Sequence, residues 1–183
     1  GSDGLTVGYV GRLVEEKGVQ VLIQALAKLP TRTHLVITGE GPQLGRLQAL
    51  ARNRGIADRV TFECPVPYCM MHELLNRLDV LVLPSLETLH WTELFGRVLI
   101  EAMACGVPVV ASDSGGIPEV VNDAGILFKS GNVGDLEEKL LNLLGDQAKR
   151  EELGKKGRVR VLNSFDTSIV AGTLAHDISR MLR

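Results

Sequence analysis

Short apolar runs that alternate with helical patterns constrain this chain more than any other feature. The runs Val80-Leu81-Val82-Leu83 and Pro108-Val109-Val110-Ala111 carry no polar side chain on either face. Strands of that kind need apolar cover on both sides, which a parallel sheet between two helical layers supplies. Four more strand-like runs fit the same scheme. Positions 5–10 are closed by Gly11, and positions 34–38 by Gly39-Glu40-Gly41-Pro42; positions 59–62 and 126–128 are shorter. Between and after them the apolar period changes from two to that of a helix. In 19–29, Val21, Leu22, Ala25, Leu26 and Leu29 share a face and Pro30 marks the stop; Leu44, Leu47, Leu50 and Ala51 repeat the pattern. Helices are also predicted over 70–78, 95–104, 136–144, 147–162 and 167–182. The expected architecture is α/β, a Rossmann-like doubly wound parallel sheet of about six strands. No internal repeat or low-complexity linker divides the chain, so it reads as one domain.

Composition agrees and removes several classes of function. A chain of 183 residues, 45% hydrophobic, is long enough for one sizeable core. The net charge is −2, with acids and bases interspersed. No basic tract or aromatic–basic interleaving points to nucleic acid. The balance argues against polybasic membrane attachment, leaving only a local patch. No apolar run approaches the roughly 20 residues of a membrane span. Cys64, Cys69 and Cys105 form neither a disulfide framework nor a paired zinc site, and read as thiols of a reducing compartment, hence a cytoplasmic location. Gly1 and Ser2 look like a cloning remnant, and residues 1–3 are set aside as an unstructured start.

In doubly wound sheets ligands bind at the carboxyl ends of the strands. The first strand ends in Gly11-Arg12-Leu13-Val14-Glu15-Glu16-Lys17-Gly18, which places two cations just before a helix. Cations beside a helix N-terminus suit a pyrophosphate. Taken alone, the turn more readily reads as a solvated loop in which Arg12 and Lys17 pair with Glu15 and Glu16. The stretch Glu93-Leu94-Phe95-Gly96-Arg97-Val98-Leu99-Ile100-Glu101 says more. Its two carboxylates lie about 12 Å apart along a helix axis, a span for the two ends of an extended ligand. Glu101 stands among apolar residues, where a carboxylate requires a partner. Ribose hydroxyls would serve, and so would an ion pair with Arg97 four residues earlier. Glu93 also fits a plain acid at a helix N-terminus. Gly96 lets a ligand approach the backbone closely. The turn at Gly39 lacks the third glycine of the dinucleotide fingerprint and follows the wrong strand, and there is no phosphate loop of the nucleoside-triphosphatase kind. The Gly115-Gly116-Ile117-Pro118-Glu119 segment reads as a tight turn. His34, His72, His90 and His176 lie in unrelated contexts, so no metal site or histidine triad is predicted, and no cofactor.

Taken in order, GRLVEEKG (11–18), GEGP (39–42), DVLVLPS (79–85), ELFGRVLIEAMACGVPVVASDSGGIPEVV (93–121) and AGILF (124–128) resemble the C-terminal, donor-binding domain of GT-B fold retaining glycosyltransferases of glycosyltransferase family four (group 1). The similarity runs from about position 7 to 144, and Glu93 and Glu101 match the family's E-x7-E motif. It implies that residues 4–183 are a nucleotide-sugar-binding domain with C-terminal helices, one half of a GT-B architecture whose N-terminal acceptor domain is absent from this chain. The implied reaction moves a sugar from a nucleoside diphosphate sugar to an acceptor hydroxyl with retained configuration and without a metal. Arg12 and Lys17 would hold the diphosphate and stabilise the leaving group. Glu93 would contact the sugar, the backbone at Leu94, Phe95, Gly96, Arg97 and Val98 would meet sugar and phosphate oxygens, and Glu101 would bind ribose. Gly11 and Gly39 would line the donor site, with the base near positions 63–67, at Pro65 and Val66.

Two departures from the family pattern stand out. Phe62-Glu63-Cys64-Pro65 replaces a usual glycine after the third strand, and the link 86–92 is longer than the common one. In that link Trp91 has two readings, a roof over the sugar and a packing residue on the sheet, and Glu87 competes with Glu93 but lacks the seven-residue spacing. The isolated domain is expected to bind donor weakly, to catalyse no transfer, and to self-associate weakly through a stripe of Ile169, Leu174, Ile178 and Leu182. The parent protein is open to peripheral membrane association. Other readings are half of a different sugar-nucleotide enzyme, such as an epimerase, and a non-catalytic binding domain.

Overall fold

The computed structural model describes residues 4–181, with side chains described at 4–172, 178 and 180. The expected cloning remnant and Leu182 lie outside the described residues, as does the side chain of Leu174.

Six strands form one parallel sheet: β1 Leu5–Val10, β2 Thr33–Thr38, β3 Val60–Glu63, β4 Val80–Leu83, β5 Val109–Ser112 and β6 Ile126–Phe128. Their spatial order is β3-β2-β1-β4-β5-β6. Every pairing is parallel, as in Val7 beside Leu35 and Val80, and Leu83 beside Ala111. All four side chains of β4 and of β5 are buried, as their apolar composition requires. The connecting helices are α1 Val19–Leu26, α2 Leu44–Asn53, α3 Met71–Leu75, α4 Arg97–Ala104 and α5 Ile117–Val121; α6 Val133–Leu144, α7 Gln147–Ser164 and α8 Thr167–Met181 follow. Strand order advances in opposite directions from β1 and from β4. Right-handed crossovers therefore put the helices on opposite faces, with α1 against α2 and α6, and α4 against α3, α5 and α7. The core is continuous across the sheet, from Leu22 and Ile23 of α1 through Tyr9 and Leu81 to Leu99 and Met103 of α4.

Several boundaries differ from the periodicity. The helix expected over 95–104 starts at Arg97, because Gly96 takes a left-handed conformation, φ 68°, as its N-cap. Glu101 is thus one turn inside the helix, and Glu93 stands in the connecting segment ahead of it. Ile117–Val121 forms a helix where only a turn was expected; Pro118 in its first turn pre-sets the backbone. Arg59, read as the first strand residue, closes a 3₁₀ turn, Ala57–Arg59. Its buried guanidinium donates to the carbonyls of Thr33 (3.0 Å), Leu26 (3.1 Å), Leu29 (3.3 Å) and Pro30 (3.0 Å). A buried charge is stable there because four backbone acceptors surround it.

Candidate functional site

The order of strands reverses between β1 and β4, and a cleft of about 440 Å³ opens there, outside their carboxyl ends. Its floor is the end of β1, at Tyr9, Val10, Gly11 and Arg12, with Leu83 of β4. One wall is the segment 93–98 with Glu101, and Lys17 and Met71 close the sides. The basic turn and the carboxylates thus face one space, although 76 residues separate Lys17 from Glu93.

Lys17 forms an ion pair with Glu93 Oε2, and both side chains are largely buried. Ser85, fully buried, donates to the same oxygen at 3.0 Å. The alternative pairing within the turn does not occur: Glu15 reaches Arg46 instead, at 3.7 Å, and Arg12 has no ion-pair partner among the described residues. The turn is anchored from below. The Leu86 N–H donates to the Glu16 carbonyl at 2.8 Å, and Gly18, φ 68°, lies so close to Pro84 that a Cβ would collide with its carbonyl oxygen. Only glycine permits that approach.

At the other end of the wall, Arg97 Nε lies 3.4 Å from Glu101 Oε1, the ion pair weighed from the sequence. Arg97 is exposed, and Oε1 is buried without a hydrogen bond. Burial raises the pKa of Glu101, and the Arg97 charge offsets part of that rise. A buried acceptor with no hydrogen bond is a place for a ligand hydroxyl. No side chain caps α4, and with the Leu99 N–H donating to the Gly96 carbonyl at 2.8 Å, the N–H groups of Arg97 and Val98 are the ones left for an anion at the cleft wall. A second recess of about 290 Å³ shares Val10, Gly11, Arg12 and Met71 with the first, and continues over Gly39 to Pro65 and Val66. The Glu63 carboxylate beside it accepts from Arg77 at 2.6 Å and from the Thr38 hydroxyl at 3.4 Å.

Of the residues picked from the sequence, Gly11, Arg12, Lys17, Glu93, Leu94, Phe95, Gly96, Arg97, Val98 and Glu101 line the first space, and Gly39, Pro65 and Val66 the second. Glu87 lines neither, and its N–H donates to Ser130 Oγ at 3.3 Å. Trp91 is not part of the cleft wall; its ring stacks against Lys17, with the ammonium 5.2 Å from the centroid. Sequence reading missed Ser85 and Tyr9. Tyr9 is buried and donates to the Arg12 carbonyl at 2.8 Å, which fixes the start of the basic turn. Burial, then the Glu93 charge, push its phenol above the ordinary pKa, with Arg12 opposing. Ser85 lies two residues past the end of β4, a position that in this topology faces the ligand space. Among the described residues no group of His, Cys, Asp and Glu could hold a metal ion.

The structural neighbours of this doubly wound parallel domain are glycosyltransferases of the GT-B fold, and it corresponds to one half of that architecture. Residues 2–160 match the family model described as Glycosyl transferases group 1, and the chain belongs to that family. It is 32% identical over 179 residues to N-acetyl-alpha-D-glucosaminyl L-malate synthase of Bacillus anthracis, covering 94% of this chain and 45% of that protein. It is 34% identical over 184 residues to the GDP-mannose-dependent alpha-(1-6)-phosphatidylinositol monomannoside mannosyltransferase of Mycolicibacterium smegmatis, covering 97% and 48%. Anabaena HepE, solved in complex with UDP-glucose, superposes with a TM-score of 0.87 at 28% identity over 97% of this chain and 49% of that one. The chain therefore spans about half the length of these relatives.

Proposed function

We propose that this chain is the donor-binding half of a retaining glycosyltransferase of family four, one that transfers a sugar from a nucleoside diphosphate sugar to an acceptor hydroxyl. The observation that carries this reading is the convergence of Arg12, Lys17 and the α4 N-terminus with Glu93 and Glu101 on one cleft. Arg12, Lys17 and the helix N–H groups would take the diphosphate, whose growing negative charge they stabilise as the glycosidic bond breaks. That charge is met by protein groups, so the mechanism needs no metal ion. Glu93, already held by Ser85, would orient the sugar once Lys17 turns to phosphate. The Glu101 oxygen that is buried without a hydrogen bond would accept from ribose, and the base would lie over Pro65 and Val66. HepE was solved with UDP-glucose and the mycobacterial relative is named as GDP-mannose-dependent, which supports a nucleoside diphosphate sugar and leaves its base to experiment.

The acceptor site and the opposing cleft wall would belong to a second, N-terminal domain, as the doubled length of the relatives suggests. This chain alone would bind donor weakly and transfer nothing. Two exposed free thiols, Cys64 and Cys69, suit a reducing, cytoplasmic setting.

The test is an NMR titration with UDP, GDP and ADP, then with their sugars. Shifts are expected in residues 11–18 and 93–101. Lys17→Ala and Glu101→Ala should each weaken binding roughly 10-fold or more, the value of about 1.5–3 kcal/mol for a charged hydrogen bond. Chemical shifts unmoved in both segments at millimolar nucleotide would refute the assignment.

A further inference from the structure

Lys17 presents a difficulty for anion binding, because its charge is already matched by Glu93. An ammonium has three N–H donors, so a diphosphate can draw this lysine off the carboxylate provided that the ammonium stays in the cleft. The residue on its other side is Trp91. An aromatic face within about 6 Å attracts an ammonium without offering an acceptor oxygen, so it does not compete with phosphate. The 5.2 Å separation falls in that range, and Lys17 is 16% exposed, so little water competes for it.

The unusual link 86–92 holds the indole in place. The Thr88 N–H donates to the Trp91 carbonyl at 2.9 Å, Thr88 and Trp91 form an antiparallel bridge, and the turn tip at Leu89 is fully exposed. Ser130 ties the base of the link down, donating to the Ser85 carbonyl at 3.2 Å and accepting from the Glu87 N–H. The extra length is thus a pinned turn with its aromatic residue on the lysine.

We propose that Trp91 is a positioning residue for Lys17, its ring holding the ammonium in the cleft while the lysine exchanges Glu93 for a diphosphate. This rests on the donor-binding reading above. Trp91 is the only tryptophan of the chain, so its emission reports directly on the lysine.

Calorimetry with UDP, GDP and ADP first establishes which nucleotide binds. For that nucleotide Trp91→Leu should weaken binding about three- to tenfold and Trp91→Phe should restore most of it. In a Lys17→Met background, Trp91→Leu should add nothing, whereas a merely structural tryptophan would weaken binding equally in both backgrounds. Saturating nucleotide should shift Trp91 emission in the unaltered chain and leave it unchanged in Lys17→Met, a measurement that stands even if Trp91→Leu folds poorly. Unchanged affinity in a folded Trp91→Leu, equal weakening in the two backgrounds, or an emission change that survives Lys17→Met would overturn the proposal while leaving nucleotide binding intact. If none of the three nucleotides binds, the donor-binding reading fails and this inference with it.

Discussion

Glu93 and Glu101 are both carboxylates of one motif, yet the fold gives them opposite electrostatic settings. Glu93 accepts from Lys17 and from Ser85. Glu101 Oε1 is buried with no hydrogen bond, and burial raises its pKa against the Arg97 charge. A raised carboxyl pKa means that the folded chain disfavours the ionised form. The resulting destabilisation is absent below the ordinary value of 4.5, develops as pH rises from there through the folded-state pKa, and is complete above it. Glu101→Gln should therefore raise the melting temperature at neutral pH, and the gain should vanish as pH falls below 4.5. Thermal unfolding of both chains at several pH values checks this; a gain independent of pH would show that ionisation is not its source. Much of the site was legible at this scale, because a charged residue in an apolar run announces that it needs a partner. Ser85 and Tyr9 were not legible, since a serine after a strand and an aromatic within one are ordinary in sequence. The pairing of Lys17 with Glu93 was not legible either: the ion pairs weighed for this lysine were with Glu15 and Glu16, because a pairing 76 residues away leaves no local trace.

The strands of the centre were readable for a related reason, as β4 and β5 are buried on both faces and carry nothing but apolar or small side chains. Helix ends were less so. Gly96 moves the start of α4 to Arg97 through a backbone conformation that apolar periodicity does not encode. The short α5 has too few residues to show a period, and its Gly-Gly entry resembles a plain turn. Arg59 was counted into the third strand because it adjoins the apolar run, whereas it closes the turn before it and binds four carbonyls between the end of α1 and the start of β2. Those carbonyls are at the amino ends of the strands, away from the cleft. Arg59→Ala would leave them short of donors, a loss of about 3 kcal/mol in net hydrogen bonding. That corresponds to a fall of roughly 6–12 °C in melting temperature. Nucleotide affinity measured below the new transition should stay within about twofold, given the roughly additive behaviour of distant sites. A larger loss of affinity would mean that the amino ends of β2 and β3 communicate with the site.

At the level of the whole molecule, the cleft is built from parts that are distant in sequence. The turn after β1, the end of β4 and the first turn of α4 meet through the sheet and a few direct bonds, such as Leu86 to Glu16 and Lys17 to Glu93. A ligand that touches all three adds links that the unfolded chain lacks, so binding and global stability are coupled. The exposed Leu94 and Phe95 on the cleft rim are the apolar surface that a second domain would cover in the proposed two-domain enzyme. Phe95 already meets Phe165, at the junction of α7 and α8, edge to face at 5.8 Å. Donor binding does not require that second domain, since the diphosphate and ribose groups proposed above all lie on this chain. The bound nucleotide should therefore stabilise the isolated chain even where transfer is undetectable. At a free concentration 100-fold above Kd the gain is about 2.7 kcal/mol, which for a domain of this size is a rise of roughly 5–11 °C. Differential scanning fluorimetry against UDP, GDP and ADP measures it, and Lys17→Ala should lose most of the shift at the same concentration. A nucleotide that binds by calorimetry yet shifts Lys17→Ala as much as the unaltered chain would place its diphosphate outside the cleft between β1 and β4.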